Sequence, residues 1–152
     1  MGFTDIQTGR TIRNQSWPIG VAFLADGRHA AFVDGSARPV AIWDTATQTQ
    51  VRQLRGHLLS GHGVGLSSDG QRLITGSTYP ESAKIWDVRM DAMREVLNLG
   101  APGNLFQAVG FSPDGNMVFA MENGGAAYFW RAPSWEEIAA AEAKEKAEGK
   151  KP

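Results

Sequence analysis

The sequence contains no cysteine, carries little net charge and has no long apolar run. Without cysteine, the 152-residue chain can form neither disulfide bonds nor thiolate metal sites, which fits a reducing compartment. Its 15 basic and 16 acidic residues leave a formal net charge of −1, so no overall field favours nucleic acid or a membrane surface. No apolar stretch approaches the roughly 20 residues of a membrane-spanning helix, and the N-terminus has no signal-peptide pattern. These absences predict a cytoplasmic protein that binds neither nucleic acid nor membrane.

Residues suited to catalysis or metal binding are also scarce. The sequence has 3 histidines, no serine in a nucleophile-elbow pattern and no dinucleotide-binding glycine motif. The glycine-rich stretch around His62 is not followed by the helix that a phosphate loop requires. Since the repeat places Ile19 and Gln107 at the positions equivalent to His62, no ring of metal ligands forms. We therefore expect no enzymatic activity, no metal and no cofactor.

What the sequence does contain is a repeat whose period is 43–44 residues. Ile42-Trp43-Asp44 recurs as Ile85-Trp86-Asp87 and, altered, as Phe129-Trp130-Arg131. An Asp-Gly pair precedes each tryptophan and lies between two short, alternating apolar segments, which is the pattern of a tight β-hairpin. These pairs are Asp26-Gly27, Asp69-Gly70 and Asp114-Gly115. A more polar run follows each of the first two tryptophans, so each unit is predicted to contain four short antiparallel strands.

This period, the four strands per unit and the terminal Trp-Asp are typical of a propeller blade. The chain resembles the WD-repeat family of β-propellers over residues 3–131. Gly56-His57 matches the Gly-His element of that family, and the hairpin sequence Phe-Ser-Pro-Asp-Gly is present at 111–115. The segment from Trp130 onward resembles the ending of some bacterial WD-repeat proteins. The resemblance implies an interaction scaffold in which certain residues have structural roles: Trp43, Asp44, His57, Trp86, Asp87 and Trp130.

The family often links a His, a Ser or Thr, an Asp and the Trp of one blade by hydrogen bonds. Here only the second unit offers most of these groups, namely His57, Thr75 or Ser77, and Trp86. The position expected for the Asp, six residues before the Trp, holds Ala37, Pro80 and Gly124 in the three units. We therefore expect the full network to be missing and the blades to depend more on packing.

The predicted fold is all-β, with about three four-stranded antiparallel blades and a C-terminal α-helix. Ser134 and Glu137 form a capping box, which predicts a helix over about 135–147 that either binds a partner or caps the propeller rim as a solvated helix. The predicted units are an outer strand within 1–15, blade one over 16–57, blade two over 58–100, three strands of blade three over 101–132, the helix within 133–148 and a disordered tail over 149–152.

The phase of the repeat predicts incomplete blades at both ends. The chain begins at the end of a third strand and continues into a fourth at about 9–14, whereas the last unit stops after its third strand. The N-terminal strand could thus supply the outer strand of the last blade, in the same chain or another. Because a closed propeller needs about 4–8 blades, further blades must come from identical chains or from sequence outside this chain.

The function expected from the resemblance is a scaffold for protein partners of unknown identity, without catalysis. An alternative is a regulatory or accessory propeller fragment of a larger protein, for example one fused to an enzyme or kinase domain. A third is a propeller that binds a small ligand or acts as an enzyme. The family's usual docking face would place six residues toward a partner, although Trp17 and Phe106 could instead pack between blades and His62 could be purely structural. These candidates are Trp17, Arg38, His62, Tyr79, Phe106 and Asn123.

Overall fold

A computed structural model describes residues 2–4, 11–13, 18–35, 39–132 and 144, with side chains for 19–35, 39–132 and 144. The strands are β1 (Gly2–Thr4), β2 (Thr11–Arg13), β3 (Pro18–Phe23), β4 (His29–Asp34), β5 (Val40–Asp44), β6 (Thr49–Leu54), β7 (Gly63–Leu66), β8 (Arg72–Gly76), β9 (Ala83–Asp87), β10 (Arg94–Leu99), β11 (Phe106–Phe111), β12 (Met117–Glu122) and β13 (Ala127–Arg131).

These strands form four antiparallel sheets, and they confirm the all-β class. The first blade is the four-stranded sheet β3–β6, the second blade is the four-stranded sheet β7–β10, and the third blade is the three-stranded sheet β11–β13. In each blade the strands are hydrogen-bonded in chain order. Strands β1 and β2 form a separate two-stranded sheet. The helix predicted over 135–147 and the tail over 149–152 lie outside the described residues, apart from Lys144.

The three Asp-Gly pairs form the tight turns that their sequence predicts. Gly27, Gly70 and Gly115 have φ angles of 66°, 69° and 74°, which residues with a Cβ rarely adopt. The preceding aspartates accept backbone N–H groups within the turn; for example, Asp69 Oδ1 accepts the N–H of Gln71 at 3.0 Å. Each turn thus connects the first and second strands of its blade.

Asp44 and Asp87 follow their tryptophans and stabilise the next turn. Asp44 Oδ1 accepts the N–H groups of Ala46 (2.9 Å) and Thr47 (3.1 Å), and its Oδ2 accepts Arg28 Nε at 2.9 Å. The hydrogen bond from Arg28 is the main reason why the pKa of Asp44 lies far below its usual value. Arg89 has the corresponding role for Asp87 and holds the pKa of that carboxyl at about 2. Both aspartates are structural turn residues in this fold.

The core lies between blades. One apolar cluster joins the first blade to the second and contains Val33, Ile42 and Trp86, all nearly inaccessible to solvent. A second cluster joins the second blade to the third and contains Ile74, Phe106 and Val118. The inner strands β7 and β11 therefore pack against the blade that precedes each of them, and the three blades form a stack of sheets.

The N-terminal strand predicted to complete the third blade is β2, and within this chain β2 pairs with β1 instead. Phe3 of β1 pairs with Ile12 of β2, as the third and fourth strands of a blade would pair. Among the described strands, β13 is paired with β12 alone. That an N-terminal strand completes the third blade therefore stays a prediction, and the strand would have to come from another copy or from another segment.

Gly63 illustrates how closely the inner strands approach one another. A Cβ at this position would lie 2.9 Å from the backbone carbonyl carbon of Gln107 on β11. Because backbone cannot move aside as a flexible side chain can, we expect Gly63→Ala to destabilise the fold by about 1–3 kcal/mol in urea denaturation. Gly100→Ala is the matched control, since a Cβ there meets nothing within 4 Å. Equal stabilities for the two variants would contradict this packing.

Candidate partner-binding face

The connecting segments of the second and third blades meet at one end of the sheets. Two backbone hydrogen bonds join them: Tyr79 N–H to Asn104 O at 2.9 Å and Phe106 N–H to Ser77 O at 2.9 Å. Within the second blade, His62 N–H donates to Gly76 O at 2.7 Å, and within the third, Asn123 N–H donates to Leu105 O at 2.9 Å. Ser77 Oγ also donates to the carbonyl of Ser60 at 3.0 Å. We call this end the loop face and define it as residues 57–62, 77–82, 100–105 and 123–126. Backbone hydrogen bonds thus connect the second and third blades at this face.

A buried hydrogen-bond network lies directly beneath the loop face. Trp86 Nε1 donates to Thr75 Oγ1 at 2.7 Å, and Thr75 Oγ1 lies 2.7 Å from His57 Nε2. His57 Nδ1 lies 3.3 Å from Glu81 Oε2. Since a carboxylate only accepts, Nδ1 carries the imidazole proton and Nε2 accepts from the threonine hydroxyl. The polar chain thus runs from the indole of Trp86 through Thr75 and His57 to Glu81.

The expectation that this network is missing is wrong for the second blade. Its carboxylate is Glu81, five residues before Trp86, rather than an Asp six residues before it. The side chain of glutamate is one methylene longer than that of aspartate, which lets it reach His57 from the shifted position. The sequence pattern did not indicate Glu81, because the position at which the family has its acid is occupied by Pro80. An acidic residue one position away was the available signal.

Glu81 also holds the loop that carries two leucines. Its Oε2 accepts the N–H groups of Leu58 at 2.8 Å and Leu59 at 3.3 Å, and its Oε1 lies 3.5 Å from Lys84 Nζ. Burial by itself would raise the pKa of the Glu81 carboxyl, but the two leucine amides and His57 together hold it below its usual value. Burial lowers the pKa of His57, against the opposing effect of Glu81. At neutral pH the pair is therefore a carboxylate and a neutral imidazole.

The other two blades have no counterpart of this network among the described residues. Trp43 corresponds to Trp86, but Phe32 occupies the place of Thr75, and the ring of Phe32 packs edge-on against the indole with centroids 6.3 Å apart. The buried Nε1 of Trp43 has no hydrogen-bond partner among the described residues. In the third blade the place of Thr75 is taken by Ala120. Within the described part of the chain, only the second blade thus combines a hydroxyl, an imidazole and a carboxylate.

Three large apolar side chains project from the loop face into solvent. Leu58 is 64% exposed, Tyr79 is 61% exposed and Leu59 is 38% exposed. Their backbones belong to the two segments that Glu81 joins. Sequence reasoning identified Tyr79 but missed both leucines, although they directly follow the Gly-His element. A firmly held apolar group is therefore exposed at this end of the protein.

The structure places the other residues predicted to face a partner in different environments. His62 lies on the loop face, where its Nε2 contacts the hydroxyls of Ser60 (3.2 Å) and Thr78 (3.1 Å), and burial lowers its pKa. Asn123 is exposed there. Phe106 is a correction: it is fully buried against Tyr128 between the second and third blades, so no partner can reach it. Trp17 and Arg38 lie outside the described residues.

The described residues contain neither a cluster suited to a metal ion nor a helix suited to a membrane. No group of three or more His, Asp or Glu side chains among them could hold a metal ion. In the same part of the chain, no helix has the length and apolar character to cross a membrane.

The fold and this face define an all-β, propeller-like protein. No known family model matches the chain. A solved structure with a similar fold is Kuenenia stuttgartiensis hydrazine synthase, with a TM-score of 0.62 and 18% sequence identity. The similarity covers 77% of this chain and 32% of the solved chain, so the protein spans about a third of that structure's length. At this identity the likeness establishes the fold alone.

Proposed function

We propose that the chain is a non-catalytic scaffold of the WD-repeat type that binds a protein partner through its loop face. The observation that carries this proposal is the exposure of Leu58, Leu59 and Tyr79 on segments fixed from below by Glu81. The absence of cysteine supports an intracellular, cytoplasmic setting for that partner.

The physical support is preorganisation. A loop that is already ordered loses less conformational entropy when it binds, so more of the contact energy becomes affinity. Tyrosine is favoured at the centre of protein interfaces, where its ring supplies area with few rotatable bonds. His62, held by two hydroxyls, offers a polar contact beside the apolar group. The arrangement suits an apolar segment of a protein partner.

Site-specific photo-crosslinking tests this function. With a benzophenone amino acid at position 79, we expect one discrete cross-linked band in an extract of the source cells. The same probe at Val51, which is 45% exposed on β6, controls for surface exposure and should give no such band. Leu58→Ser should weaken the band at position 79 by roughly tenfold, which corresponds to about 1.4 kcal/mol of binding energy. Equal labelling from positions 79 and 51 would contradict a specific loop face.

An accessory role within a longer protein is the second candidate. Its motivation is that the chain spans only 32% of the solved chain that it resembles. In that case the loop face would bind another domain of the same polypeptide. Reading the coding sequence on both sides of this chain decides between the candidates, because an in-frame catalytic domain would favour the second.

A further inference from the structure

The first blade exposes an apolar face on its inner strand. Ile19, Val21 and Phe23 alternate along β3 and are 46–59% exposed, with Phe23 at 59%. We call these three residues the front face. Isolated apolar side chains are common on protein surfaces, but a contiguous row along one strand indicates an interaction surface.

The equivalent rows of the other blades show what normally covers such a face. On β7, Val64 and Leu66 pack into the cluster shared with the first blade. On β11, Val109 and Phe111 pack into the cluster shared with the second blade. In both cases the covering surface is one sheet face of the preceding blade, namely the face that carries Val33 and Ile42 in the first blade. The front face therefore corresponds to a surface that normally packs against this sheet face of another blade.

The third blade exposes the complementary surface. Phe129 on β13 is 67% exposed, Met121 on β12 is 43% exposed, and the ring of Phe119 lies beside that of Phe129 with centroids 6.4 Å apart. We call Phe119, Met121 and Phe129 the back face. Its equivalents in the first blade, Val33 and Ile42, are almost completely buried against the second blade.

We propose that the back face of one copy binds the front face of a second copy of this chain, and that two copies close into a six-bladed ring. The contact continues an interface that the chain already forms twice internally, with the same strand positions on each side. A contact between two different faces of one chain produces a ring when its rotation closes and a filament when it does not. The three blades in the described part of one copy are fewer than the about 4–8 found in closed propellers, whereas those of two copies together fall within that range.

The front face belongs to the first blade and the back face to the third, and the second blade packs between these two blades. In a ring of two, every front face meets a back face and no apolar row stays in water. The loop face lies at the ends of the strands rather than on the sheet faces, so it remains accessible in the ring. Self-association and partner binding are therefore separate properties.

Solution mass measured by sedimentation velocity tests the proposal. At micromolar concentration we expect the wild type to have the mass of two chains. Phe129→Glu places a charge in the contact and should raise the dissociation constant by roughly 30-fold or more, as expected for a central interface residue. Val51→Glu makes the same change at a residue outside both faces and should leave the mass unchanged. A monomeric wild type would overturn the proposal, as would a Phe129→Glu variant that remains dimeric.

Mixing two variants separates a lost contact from a lost fold. Phe129→Glu and Phe23→Lys should each be monomeric alone, because each damages both contacts of its own ring. A mixed pair retains one wild-type contact and places Glu opposite Lys in the other, so mixing should restore the mass of two chains. Unfolded variants could not recover in this way. A mixture that stays monomeric would rule out the head-to-tail arrangement.

Discussion

Trp86→Ala is expected to lower the free energy of unfolding by about 3–5 kcal/mol, as measured by urea denaturation. The indole is fully buried in the cluster between the first and second blades. It packs edge-on against the imidazole of His57, with centroids 5.5 Å apart. Removing it creates a cavity and leaves the hydroxyl of Thr75 without its donor. Because the cluster joins two blades, both should lose stability together.

Two phenylalanine variants separate the indole's hydrogen bond from its packing. Trp86→Phe removes the N–H that Thr75 accepts at 2.7 Å, whereas Trp43→Phe removes an N–H that has no partner. We expect Trp86→Phe to be the more destabilising by about 1–2 kcal/mol, since it removes a buried hydrogen bond that Trp43→Phe does not. Equal losses would mean that the network beneath the loop face contributes little to stability.

The parts of this fold that a sequence can reveal depend on local chemistry. The turns at Gly27, Gly70 and Gly115 require a positive φ, and an Asp-Gly pair between apolar segments predicts such a turn directly. The turn roles of Asp44 and Asp87 likewise depend on residues two or three positions away. The repeat then gives the strand count and the position of each tryptophan in a third strand. Such short-range signals were sufficient to predict the all-β class.

The parts that were missed depend on contacts between distant segments. Glu81 joins His57 because two connecting segments meet above β8, and neither segment alone indicates the pairing. For Phe106 the sequence left two interpretations open, docking face or packing between blades, and the close stacking of the second and third blades decides for packing. The exposure of Leu58 follows from a loop that is held by its backbone amide. Apolar composition alone predicts neither outcome. A side chain's accessibility is set by the tertiary fold.

Glu81→Ala is expected to destabilise the protein by about 3–5 kcal/mol, since it removes one partner from a buried group of charges. The remaining atoms would be Lys84 Nζ, with only Glu95 Oε1 at 2.9 Å, and the unpaired amide of Leu58. Urea denaturation measures the loss. Hydrogen exchange should also accelerate at the Leu58 and Leu59 amides more than at amides within β8. Uniform acceleration would show that Glu81 acts on global stability rather than on this loop.

Glu81→Gln and acid pH provide the discriminating test of the charge. Because the folded-state pKa of Glu81 lies below its usual value of 4.5, its contribution is complete above pH 4.5 and is lost as the pH falls through the lower, folded-state value. The difference in unfolding free energy between wild type and Glu81→Gln should therefore be constant near neutral pH and shrink below pH 4.5. A difference independent of pH would assign the effect to shape instead. If the difference in unfolding free energy shrinks below pH 4.5, the negative charge of the buried Glu81 carboxylate orders the loop that presents Leu58 and Leu59. This charge then links the interior of the second blade to its proposed binding surface.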